Sequence, residues 1–129
     1  MTKPTTTFGD HYLVDLHGCK SAVIATVEPT EEALLRAATL CGSTIIEHHF
    51  HQFPPHGVSG IILIAESHIS VHTWPENGFV AVDIFTSGDT MRPEIAIEIL
   101  EKAFEADRVD VASFARGDLV PDRGWLKAQ

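Results

Sequence analysis

The sequence predicts an α+β domain, a two-layer sandwich with one mainly antiparallel sheet and two helices on one face, in the order β-α-β-β-β-β-α-β. Three observations support this. Four β-rich runs follow one another across gaps short enough for hairpins. Two other stretches switch to a helical period. The whole chain, at 129 residues, is one domain's worth of sequence.

Residues 1–8 are polar and Thr-rich and read as a loose arm. His11 to Gly18 has short-period apolar character and ends at glycine, so it is the first strand. From Pro29 the period changes: Thr30 can cap, Glu31 and Glu32 suit a first turn, and Leu34, Ala37, Ala38 and Cys41 share a face before Gly42. The β-rich runs are Ser43–Phe53, Val58–Ile64, His68–Trp74 and Phe79–Thr86. A second helix spans Pro93 to Ala106, with Ile95, Ala96, Ile99, Leu100 and Ala103 as its apolar stripe. Val109–Phe114 is the last strand, and residues 117–129 read as a tail. Val80, Val82 and Ile84 alternate with Phe79, Ala81, Asp83 and Phe85, so both faces of that strand are largely apolar. Two helices cover only one sheet face, so a second subunit is expected on the other, giving a homodimer through the sheet.

Composition narrows the function. Nine Lys+Arg against 18 Asp+Glu give a net charge of −9, with eight histidines. Nucleic acids and anionic membranes select basic surfaces, so neither is an expected partner. The longest apolar run, Ile61 to Ala65, is strand-sized, far short of the roughly 20 residues of a membrane helix. The N-terminus lacks the apolar core of a signal peptide. Cys19 and Cys41 make no disulfide framework, so a reducing cytoplasm is expected.

Chemistry-bearing residues concentrate in Gly57-Val-Ser-Gly60, Glu66-Ser-His-Ile-Ser-Val-His-Thr-Trp-Pro-Glu76 and Asp83-Ile-Phe-Thr-Ser-Gly88. His68, Ser70 and His72 alternate with Ile69 and Val71, as any strand with one wet face would. A serine hydrolase is disfavoured, because no G-x-S-x-G elbow joins a strand to a helix. His48, His49, His51 and His56 resemble a ligand tract, but no carboxylate or cysteine completes a familiar spacing, so no metal is expected.

The motifs HxFxPxGVSG, ESHxSxHTWPE and VDxFTxG occur in this order. In them the chain closely resembles the bacterial S-adenosylmethionine decarboxylase proenzymes, the short pyruvoyl-dependent form. The resemblance runs from about Gly9 to Gly88 and continues weakly to Arg116-Gly117.

That resemblance implies self-cleavage between Glu66 and Ser67, giving a β chain of residues 1–66 and an α chain of residues 67–129. The Ser67 hydroxyl attacks the Glu66 carbonyl, the amide becomes an ester, and elimination followed by loss of ammonia leaves a covalent pyruvoyl group at position 67. Such a group forms a Schiff base with the substrate amine and accepts the electrons left when carbon dioxide departs. The resemblance makes His72 the processing base and Ser59 a processing hydroxyl. It assigns Phe53, Trp74 and Glu76 to the adenosyl part of the substrate, and Asp15, where the family also has Glu, to a substrate-side acid. The implied product is the aminopropyl donor for spermidine. Ser67 and His72 are five residues apart, which puts them on opposite faces of an unbroken strand. Ser67 is therefore expected in a turn before the strand, or with a bulge between the two.

One position departs from the family. Ser87 stands where these enzymes carry the cysteine that donates a proton to the substrate carbon. A thiol ionises near neutrality, and a hydroxyl does so far less readily. Three readings follow: a decarboxylase of S-adenosylmethionine with another proton donor, a pyruvoyl-dependent L-ornithine or L-arginine decarboxylase, or a weakly active partner subunit.

Overall fold

A computed structural model describes residues 8–117. The arm and tail expected at the two ends lie almost wholly outside them. Among these residues six strands form one sheet: β1 (Gly9–His17), β2 (Ile45–Gln52), β3 (Val58–Ile64), β4 (Ser67–Trp74), β5 (Phe79–Thr86) and β6 (Arg108–Arg116). Their spatial order is β2-β3-β4-β5-β1-β6, with every neighbouring pair antiparallel. β2 to β5 make the expected meander. β1 joins its far side, and β6 closes the sheet beyond β1.

Three α-helices are present among the described residues: α1 (Ser21–Ile24), α2 (Val27–Leu40) and α3 (Pro93–Phe104). The four-residue α1 was not expected from the sequence. α2 starts two residues before Pro29, so Thr30 does not cap it. Pro29 still falls in the first turn, where a missing N–H breaks no intrahelical bond. Thr30 is buried, and its hydroxyl donates to the Val23 carbonyl at 3.3 Å. α3 stops at Phe104, because Glu105 turns into the left-handed region at φ 54°.

One sheet face meets the helices. Val14, Leu16, Ile62, Ile64, Ile69, Val71, Val80, Val82 and Ile84 pack there against Leu34, Ala37, Ala38, Ala96, Leu100 and Phe104. Period-2 alternation in the strands meets the apolar stripes of α2 and α3, which is why the layers join there. The other sheet face has no covering layer among the described residues. Leu13, Ile61, Leu63, Trp74 and Phe114 remain 40–48% exposed on it. Phe79, Ala81 and Phe85 are half-buried there. No helix among the described residues is long and apolar enough to cross a membrane.

Candidate active site

The β3–β4 hairpin turns on Ala65 and Glu66, with Ile64 paired to Ser67. Glu66 sits at φ 71°, a left-handed conformation that costs a non-glycine residue on the order of 1–2 kcal/mol. Ser67 is not in the turn. It opens β4, paired to Ile64 on one side and Thr86 on the other, and the register with β3 and β5 runs to His72 with no bulge. The turn ends one residue earlier than the sequence suggested, because both neighbouring strands already hold Ser67 in the ladder.

Three groups crowd the Glu66–Ser67 peptide. The Ser67 hydroxyl lies against the Glu66 carbonyl oxygen. The Ser87 hydroxyl donates to the same oxygen at 2.6 Å, and the Ser87 backbone N–H donates to Ser67 Oγ at 3.0 Å. Ser87 follows the last residue of β5, so the pairing of β4 with β5 delivers it here.

A second locus lies at the opposite end of β4. Ser59 Oγ and His72 Nδ1 are 2.8 Å apart, as the register pairs these two residues directly. They share a cleft of about 300 Å³ with Phe53, His56, Trp74 and Glu76. Four backbone and side-chain devices shape it. Gly57, at φ 112°, donates its N–H to the Ala25 carbonyl and accepts from the Phe53 N–H. Gln52 donates to the carbonyls of Ala25 and Gly57. Thr73, buried, accepts from the Val58 N–H and donates to the Ile24 carbonyl. Ser21 Oγ donates to the Pro75 carbonyl, which starts the short 3-10 turn holding Glu76. The unexpected α1 thus braces the cleft.

The residues singled out in the sequence therefore fall into two groups. Ser67 and Ser87 meet at one end of β4; Ser59, His72, Phe53, Trp74 and Glu76 meet at the other. Asp15 joins neither. It is exposed and pairs with Ala81, which in turn pairs with His72, so Asp15 sits two strands, roughly 10 Å, from the histidine. The histidine tract does not gather: His48 pairs with Glu31 at 3.0 Å and His56 with Glu76 at 3.2 Å.

Sequence reasoning gave no role to a third constellation. Asp83 accepts from His11 Nε2 at 2.6 Å, from His68 Nε2 at 3.0 Å and from the Ser70 hydroxyl. Burial pushes the Asp83 carboxyl up, but the hydrogen bonds from Ser70, His11 and His68 outweigh it and hold the group below its ordinary 3.8. His68 and Asp83 stand inside the motifs, but His11 is more than 70 residues from Asp83 in sequence, with no local signal to join them. The two cysteines are remote from all of this. Cys19 and Cys41 are buried, and burial with the nearby Asp107 charge pushes the Cys19 thiol up to about 11.

This arrangement is an α+β two-layer antiparallel fold with a serine hydroxyl set against its preceding carbonyl oxygen. Residues 10–117 match the family model described as S-adenosylmethionine decarboxylase. The chain is 43% identical over 109 residues to the S-adenosylmethionine decarboxylase proenzyme of Thermodesulfovibrio yellowstonii, covering 84% of this chain and 81% of that one. It is also 43% identical over 114 residues to the proenzyme of the same name from Carboxydothermus hydrogenoformans, covering 88% of this chain and 90% of that one. The crystal structure of the adenosylmethionine decarboxylase from Aquifex aeolicus superposes with a TM-score of 0.81 at 36% identity, covering 92% and 98% of the two chains. The chain belongs to the S-adenosylmethionine decarboxylase family.

Proposed function

We propose that this chain is the precursor of an S-adenosylmethionine decarboxylase, and that it makes its catalytic pyruvoyl group by cutting itself between Glu66 and Ser67. The carrying observation is the contact of the Ser67 hydroxyl with the Glu66 carbonyl, which the Ser87 hydroxyl also binds at 2.6 Å. Attack by Ser67 Oγ on the Glu66 carbonyl carbon puts negative charge on that oxygen. A donor already in place there stabilises the charge without reorganisation. The left-handed Glu66 adds strain that cleavage releases. The residues at the junction thus fit the formation of the group. Once made, a pyruvoyl carbonyl supplies an electron acceptor for the substrate amine.

Processing also needs a base, and the Ser59–His72 pair is the candidate. In one chain it is out of reach of Ser67. Five strand residues span about 16 Å, and odd spacing puts the side chains on opposite faces. A second copy on the open face removes the separation along the strand, and the Glu66–Ser67 peptide at the sheet end must then be reached from that face. The uncovered sheet face carries a band of exposed apolar residues, suited to burial against an identical face. A twofold axis lying across the strands reverses their direction. That brings the cleft end of one sheet over the Ser67 end of the other. Each active site then combines Ser67 and Ser87 of one protomer with the cleft of its partner.

The cleft suits an adenosyl group. Phe53 and Trp74 offer ring faces, and Glu76 can accept hydrogen bonds from ribose hydroxyls. The acidic surface attracts a sulfonium cation. The product would serve as the aminopropyl donor for spermidine. A second reading, decarboxylation of L-ornithine or L-arginine, is favoured by Ser87 alone. Carbon dioxide release from the three substrates decides between them. Active wild type must run as two chains of about half length when denatured, and Ser67→Ala as one chain of 14.1 kDa. Intact wild type in active preparations refutes the self-processing reading. Faster release from either amino acid refutes the choice of substrate.

A further inference from the structure

Decarboxylation breaks the bond from the substrate carbon to CO2 and leaves an electron pair that must finally take a proton. The precursor's surroundings of residue 67 offer few acids for this. The Ser87 hydroxyl is a poor one. Glu66 becomes the cut end of the β chain, no longer bonded to residue 67, and both thiols are buried elsewhere. His68 remains, joined to residue 67 by a peptide bond; its imidazole is on the open sheet face, where it pairs with Leu63 and Phe85, and the role requires the substrate on residue 67 to lie over that face. Histidine is the usual side chain for proton transfer near neutrality.

The hydrogen-bond pattern around Asp83 separates the two histidines it holds. Arg116 Nη1 lies 2.9 Å from His11 Nδ1. A guanidinium only donates, so His11 Nδ1 accepts. The His11 proton is therefore on Nε2, where it is committed to Asp83 at 2.6 Å. This also counts against the His11, His68 and Asp83 cluster as a metal site, since a ligating nitrogen must be free of its proton. His68 differs. Its Nε2 faces Asp83 at 3.0 Å, while its Nδ1 has no hydrogen-bond partner among the described residues. A carboxylate on one ring nitrogen orients the imidazole and leaves the other nitrogen for proton traffic.

We propose that His68, positioned by Asp83, is the acid that protonates the substrate carbon after carbon dioxide leaves. The electron pair of the broken C–C bond takes the Nδ1 proton and becomes the new C–H bond. The imidazole is left neutral with its Nε2–H on Asp83, and water reprotonates it before the next turnover. This inference rests on the proposed decarboxylase reading and adds the identity of the donor.

The test uses full-length wild type, His68→Gln and Asp83→Asn. Cleavage is read by mass, turnover by carbon dioxide release from S-adenosylmethionine, and the α-chain N-terminus by Edman degradation. His68→Gln is expected to cut itself and to lose roughly 10²–10⁴-fold in kcat, the usual worth of a general acid, with KM little changed. A proton that goes instead to the carbon of residue 67 leaves the substrate nitrogen there and releases the rest as an aldehyde. The α chain then begins with alanine and opens to Edman degradation, so His68→Gln should accumulate alanine with turnover while wild type stays blocked. Asp83→Asn, which loses the acceptor that orients the ring, should also cut itself and accumulate alanine with turnover.

Turnover of His68→Gln within twofold of wild type, with blocked α chains, overturns the role of His68. If His68→Gln stays uncut, Asp83→Asn decides: turnover within twofold of wild type with blocked α chains overturns the proposal. Wild type that never cuts, or cuts and releases no carbon dioxide, refutes the parent reading instead.

Discussion

Mixing two inactive precursors should restore cleavage in one of them. The perturbation pairs Ser67→Ala, which lacks the proposed nucleophile, with His72→Ala, which lacks the proposed base. Along β4 these positions are five residues apart with no bulge, so about 16 Å and the thickness of the sheet separate them. A base must come within about 3 Å of the proton it removes, or act through one water. Neither variant can therefore cut itself within its own chain, and neither homodimer contains a complete site. In a mixed dimer the His72→Ala chain keeps Ser67 and meets the partner's intact His72. Equal co-expression with random pairing makes about half of the dimers mixed, each with one complete site. About half of the His72→Ala chains, and none of the Ser67→Ala chains, should then be cut. Distinguishable tags and mass spectrometry of the denatured mixture read this directly. Cleavage of His72→Ala expressed alone at the wild-type rate would refute the reasoning, as would an uncut mixture in which mixed dimers are shown to form.

Ser87→Ala removes the hydroxyl that donates to the Glu66 carbonyl. Loss of one oxyanion donor typically costs 10²–10³-fold, so the half-time of self-cleavage should lengthen by about that factor in a gel time course. Asp83→Asn, made in the uncleaved Ser67→Ala background, should lower the thermal midpoint at pH 7. The native carboxyl lies below its ordinary 3.8, so its stabilisation is complete above that value and is lost as pH falls through the lower folded pKa. The gap between the two proteins should narrow in melting curves taken below pH 3.8. Phe104 is the largest fully buried side chain. Phe104→Ala in the same background should cost about 3–5 kcal/mol in urea unfolding, through lost burial and the cavity left behind.

Much of the fold was legible because its signals are local. Alternation of Val80, Val82 and Ile84 with Phe79, Ala81 and Phe85 marks a strand wherever it ends up, and Gly57 and Gly78 mark the breaks that set the meander. The start of α2 differs because Thr30 before Glu31 and Glu32 reads as a cap and sets Pro29 outside the helix, whereas proline is tolerated within the first turn. α1 was missed because four residues are too few to show a period.

The sequence by itself determined which groups are present: a serine after Glu66, a serine at 59, a histidine at 72 and a serine at position 87. Only the tertiary structure decided where those groups stand. It placed Ser67 in register with Ile64 and Thr86, drew Ser87 onto the Glu66 carbonyl, and separated both from His72 by the length of β4. It also brought His11 beside Asp83 by setting β1 against β5. Side-chain periodicity is a property of one strand and is written in its own residues. Register between strands far apart in the chain is chosen by which faces can be buried together, and no single segment carries that information.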